Sequence, residues 1–146
     1  MGYKRVKKDI RYEQGDFAVE MTFELRTEKS MDEVRASLLE NLQTEGFGVL
    51  WEFDIQEKLQ EKGVILERPC RVLEICNPSQ AKAALDINPD AAYFLPCKIA
   101  IMEKVDGLFV GMLRPALLME LLGDEEVQQT AHDVERHMKR AIMESV

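Results

Sequence analysis

The sequence predicts an α+β fold: one mostly antiparallel sheet with helices packed on one face, in the order β-α-β(4)-α. Three observations carry this. Residues 17–25 alternate strictly, with Phe17, Val19, Met21, Phe23 and Leu25 on one parity and Ala18, Glu20, Thr22 and Glu24 on the other. That is the pattern of a half-buried strand. Residues 94–112 hold two apolar runs joined at Asp106-Gly107, a hairpin signal. The C-terminal stretch of about 125–144 repeats apolar residues at helical spacing, through Val127, Ala131, Val134, Met138 and Ala141. A sheet with one apolar face and helices with one apolar stripe bury both economically when the helices lie on the sheet.

The elements follow in order. Ser30-Met31-Asp32-Glu33 is a capping box, and Val34, Leu38 and Leu42 continue one apolar stripe with Met31 and Leu39 beside it. Gly46 ends that helix. Phe47, Val49, Trp51, Phe53 and Ile55 share one parity, which predicts a second strand with Trp51 and Phe53 either in the core or forming a stacking platform; the core is the commoner fate. A short polar helix or turn over residues 56–62 ends at Gly63. Residues 71–76 form a third strand. Asn77-Pro78 then caps a short helix with proline at its first position. Asn88-Pro89 is a further turn.

In the hairpin, a type I′ turn at Asp106-Gly107 pairs Val105 with Leu108, Glu103 with Val110 and Ile101 with Met112. Ile99, Ile101, Val110 and Met112 then face the core with Cys97 on their parity. Met102, Phe109 and Leu113 point the other way. An outer apolar patch of that kind points to a homodimer. Pro115 opens a short helix that stops at Gly123, and Asp124 caps the last one.

The chain has 146 residues, enough for one domain with a real core. Residues 17–146 are read as that domain and residues 1–16 as a basic N-terminal arm carrying Lys4, Arg5, Lys7, Lys8 and Arg11. The net charge of −8 opposes phosphate backbones, so no nucleic-acid partner is expected. No apolar run approaches the roughly 18 residues of a membrane span, and the N-terminus lacks a signal core. Three cysteines without a disulfide framework point to the cytoplasm.

Chemistry concentrates at Ile75-Cys76-Asn77-Pro78 and Leu95-Pro96-Cys97, which set two thiols beside changes of chain direction. In a meander the end of one strand lies by the start of the next, placing Cys76 and Cys97 at one end of the sheet. Cys70, about 20 Å away along its strand, cannot pair with Cys76. Two readings of the thiols stand: a redox or sulfur-handling pair, with Cys76 activated by the following helix N-terminus, or small buried hydrophobes. Asn77 is either an N-cap or a contact to a ligand held on the same backbone N–H groups. Cys76, Asn77, Pro78, Pro96 and Cys97, with Tyr93–Pro96 as a rim, therefore form the candidate ligand site. Glu103 is either solvated near the hairpin tip or a buried acid.

Metal chemistry is not expected: His132 and His137 lie about 140° apart on a helix, and two cysteines are too few for a closed zinc site. No nucleophile elbow, phosphate loop or dinucleotide fingerprint occurs, so the sequence names no cofactor and no catalytic residue.

Gly46-Phe47-Gly48-Val49-Leu50 after the first helix, Ile75-Cys76-Asn77-Pro78 before an Ala-rich turn, Leu95-Pro96-Cys97 and the hairpin, in that order, resemble the bacterial and archaeal domain of unknown function 302 over residues 17–122. The resemblance implies a fold similar to one repeat of the TATA-box-binding protein, and dimers. It implies no activity, and the arm and the length of the last helix depart from it. The function expected is a non-catalytic small-ligand-binding or assembly module; the alternatives are a thiol protein using Cys76 and Cys97, or a structural dimer without a pocket.

Overall fold

A computed structural model describes residues 21–146; the expectations for residues 1–16 and for the start of the first strand lie outside them. The elements are β1 Thr22–Thr27, α1 Met31–Thr44, β2 Gly48–Asp54, α2 Ile55–Glu61, β3 Cys70–Cys76, α3 Pro78–Ile87, a 3-10 turn Pro89–Phe94, β4 Cys97–Lys104, β5 Gly107–Leu113, α4 Pro115–Glu120 and α5 Glu125–Ser145. The strands form one antiparallel sheet in the order β1-β5-β4-β3-β2. With the short helices set aside, this is the β-α-β(4)-α order expected.

Local chemistry explains the boundaries. Ser30 Oγ accepts from Glu33 N at 3.2 Å and donates to Glu33 Oε1 at 3.0 Å, closing the start of α1. Gly46, at φ +88, turns the chain out of that helix. Asp124 Oδ1 accepts from Glu126 N and Val127 N at the start of α5.

One face of the sheet carries Leu73, Ile75, Ile99, Ile101, Val110 and Met112, all buried against Val34, Leu38 and Leu42 of α1 and Met138, Ala141 and Ile142 of α5. A second cluster joins Ala84 of α3, Ala91, Met119 of α4, and Val127 and Ala131 of α5. The C-terminal end of α5 is tied down. Buried Ser145 accepts from Asn41 Nδ2 through its hydroxyl, at 2.9 Å, and from Lys29 Nζ through its carbonyl, at 2.8 Å. No helix among the described residues is long and apolar enough to cross a membrane.

Two sequence expectations need correction. The hairpin register is Lys104↔Gly107, Glu103↔Leu108, Met102↔Phe109 and Ile101↔Val110. It is shifted by two residues from the one expected, with Val105-Asp106 as the loop. A type I′ turn at Asp106-Gly107 would force Asp106 to positive φ; here only Gly107 takes one, at +143. A shift of two preserves parity, so the core-facing set is unchanged.

Trp51 is not in the core: it is 57% exposed. Val49 pairs with Ile75 and Trp51 with Glu74, leaving Leu50 as a bulge. The extra residue flips the strand, moving Trp51 and Phe53 to the face without helices and placing Glu52 beneath α1. There Glu52 pairs with Arg35, with Nη2 and Oε2 2.8 Å apart. Glu103 is exposed near the hairpin tip, the solvated alternative.

Candidate functional site

Ile75 of β3 pairs with Cys97 of β4, so Cys76 is one residue from the partner of Cys97. Both cysteines, with Asn77, line an inner cavity of about 30 Å³ between the end of the sheet and helices α3, α4 and α5. Its remaining walls include Phe47, Ala81, Ala84, Val127, Ala131 and Val134. A cavity that small holds about one water-sized body.

A larger cleft of about 290 Å³ adjoins it, sharing Leu95, Cys97, Pro115 and Met119 as a common wall. The cleft runs between the segment Tyr93–Lys98 and helix α4, with Leu113, Leu118 and Glu74 completing it. Local chain chemistry builds both sides. Asn88 Oδ1 accepts from Asp90 N and starts the 3-10 turn. The Leu95–Pro96 bond is cis. On the other side, Pro115 opens α4. Buried Glu135 of α5 fixes that end. Its carboxylate accepts from Ala116 N at 3.3 Å and from Arg114 Nη2 at 3.1 Å, and lies 3.4 Å from Lys139 Nζ.

The five sequence-selected residues are thus distributed rather than gathered in one pocket. Cys76 and Asn77 face the inner cavity, Cys97 borders both spaces, Pro96 lines the cleft, and Pro78 lines neither. Asn77 is the N-cap of α3: its Oδ1 accepts from Gln80 N at 3.3 Å and from Ser79 Oγ at 3.0 Å.

The three cysteines are free. Burial pushes the Cys97 thiol up to about 11, and the adjacent Cys76 thiol adds to the effect. Burial also raises Cys70, with Asp54 contributing; Cys70 pairs with Met102 at the far end of β3. Raised thiols are poor nucleophiles at neutral pH. Among the described residues no three His, Cys, Asp or Glu side chains come together to hold a metal ion.

Sequence reasoning missed the α4 wall and the pair Glu74–Lys98. Glu74 is a charge within the apolar run of residues 71–76, but its partner across the sheet follows only from the β3–β4 register, Glu74↔Lys98. The Pro115 helix start was legible; that it folds over Cys97 depends on Glu135, 20 residues on.

The family model "Domain of unknown function DUF302" matches residues 23–145. The chain belongs to this family. The crystal structure of the uncharacterized conserved protein DUF302 from Bacillus stearothermophilus superposes with a TM-score of 0.84 at 34% identity, covering 88% of this chain and all of that one. No curated protein matches the sequence. The α+β, antiparallel-sheet reading and the DUF302 resemblance both agree with these findings.

Proposed function

We propose that this DUF302 domain is a non-catalytic binding module that takes a small, largely apolar ligand in the cleft and assembles as a homodimer through its open sheet face. The cleft itself carries the reading. At about 290 Å³ it lies at the small end of ligand sites, roughly 300–1,000 Å³. That suits a metabolite-sized ligand and is too little for a dinucleotide or a flavin. Its walls are mostly apolar, through Tyr93, Phe94, Leu95, Leu113, Leu118 and Met119, with Glu74 and Lys98 among them, a mixture that holds ligands by burial and orients them by polar contacts. The raised Cys97 thiol counts against Cys97 itself as a nucleophile.

The test uses benzyl alcohol as an uncharged apolar probe, titrated into isotopically labelled protein and followed by amide chemical shifts. Saturable shifts at Leu95, Cys97 and Leu118 are expected, weakened by filling the cleft with Leu118→Trp. Absence of saturable shifts at these residues would remove the ligand-binding reading.

A further inference from the structure

The apolar cleft has one charged feature. Glu74 and Lys98 are direct partners across β3 and β4, and both line its wall. Their charged atoms, Oε1 and Nζ, stand 3.9 Å apart, at the outer limit of an ion pair. A pair that loose, with Lys98 exposed and Glu74 half-buried, contributes little to stability, about 0–1 kcal/mol. Among the described residues, Lys98 is the one basic side chain lining the cleft or the inner cavity behind it, and Glu74 is the one acidic side chain. The wall therefore offers two adjacent opposite charges with zero net charge, set at the edge of an apolar space.

That arrangement matches one ligand chemistry closely. A fatty acid or an aliphatic amine would bring one charge, satisfied by one partner and repelled by the other. A free α-amino acid brings an ammonium and a carboxylate on one carbon, a separation comparable to that of Glu74 and Lys98. An apolar side chain on the same carbon would enter the cleft, whose size suits a leucine- or phenylalanine-sized group. Tyr93, 85% exposed at the cleft wall, could cover such a group with its ring. A peptide end offers only one of the two charges and would not satisfy both partners.

Resting on the binding reading above, we infer that the cleft is a site for a free apolar α-amino acid, its carboxylate on Lys98, its ammonium on Glu74 and its side chain between Phe94 and Leu118. The charges discriminate; the apolar walls supply most of the affinity.

The experiment compares L-phenylalanine, phenylpropionate, phenethylamine and benzyl alcohol on the full chain by the same amide-shift titration. L-phenylalanine is expected to bind at least about tenfold more tightly than each analogue. In Lys98→Met and in the near-isosteric Glu74→Gln, its advantage over benzyl alcohol falls towards one. Reversing the pair, Glu74→Lys with Lys98→Glu, restores part of it. If benzyl alcohol binds in the cleft as tightly as phenylalanine, or if either singly charged analogue equals it, the amino-acid assignment is overturned and the apolar cleft stands. If none of the four shifts the cleft residues, both readings fall together.

Discussion

Two buried or half-buried groups show how single residues set measurable behaviour. Hydrogen bonding to Arg35, more than its charge, holds the Glu52 carboxyl below its ordinary value, against the opposing effect of burial. A carboxyl lowered in the folded state adds stability above its unfolded value near 4.5, and that stability is lost as pH falls through the folded value. Urea midpoints measured from pH 7 down to pH 3 should therefore fall more steeply in the native chain than in Glu52→Gln. Identical slopes would show that the Arg35 pair contributes nothing. For Cys97 the direction is reversed. A thiol raised to about 11 leaves roughly one in ten thousand molecules as thiolate at pH 7. Mass-tagging with iodoacetamide should modify Cys97 far more slowly than a free thiol, accelerating about tenfold per pH unit up to that value. Rapid tagging at neutral pH would return the thiol reading to consideration. Cys97 was legible in the sequence as a residue of interest because it follows Leu95-Pro96. The burial that raises its thiol was not legible, because it comes from helices α3 to α5 closing over it.

The elements show where local signals suffice and where they fail. α1 was readable because cap, stripe and terminating glycine all lie within 17 residues, 30 to 46. β2 was misread at Trp51 because a bulge leaves no mark in alternation; Leu50 is apolar like its neighbours, and only pairing with β3 reveals that it is extra. The hairpin register slipped for a related reason: Asp106-Gly107 and Val105-Asp106 are both two-residue loops, and which one forms depends on where the single positive φ falls. The wall of the cleft tests the element scale directly. Glu135 holds the start of α4 through Arg114 and Ala116 N while itself buried. Removing the Glu135 carboxylate takes the acceptor from Ala116 N and one partner from the half-buried Arg114, at a cost of about 1–3 kcal/mol. Glu135→Ala should lower stability by roughly that amount, and hydrogen exchange should quicken over Ala116–Glu120 before it does in α1. A loss below about 1 kcal/mol would mean that the contact behaves as a surface pair and that α4 is positioned by packing alone.

At the scale of the whole molecule, the described residues cover the sheet on one side only. All the helices with buried stripes pack on the face of Leu73, Ile99 and Val110. The opposite face carries Trp51, Phe53, Val72, Met102, Phe109 and Leu113, by strand parity and register. Trp51 and Phe53 pack against one another with centroids 5.6 Å apart, and Lys104 lies over the Phe109 ring at 4.8 Å while pairing with Glu24. Contiguous apolar side chains on one face, unlike singly scattered exposed hydrophobics, mark an interaction surface. Lys104 and Glu24 are paired within the face beside Phe109, so a second copy meeting Met102 and Phe109 about a twofold axis would confront apolar area and a balanced pair rather than like charges. Two such sheets would stack about 10 Å apart, like the layers of a sandwich. Sedimentation equilibrium at tens of micromolar should return twice the chain mass of 16.8 kDa. Phe109→Glu would place an unpaired charge in the middle of the contact. It should yield the monomer mass with an unchanged far-ultraviolet circular dichroism spectrum, because strand parity turns Phe109 away from the helical layer. A native chain that sediments as a monomer would leave the open face without a second copy. A Phe109→Glu dimer would move the contact to another surface of the molecule, for which the exposed β2 edge with Val49, Leu50 and Trp51 is the next place to test.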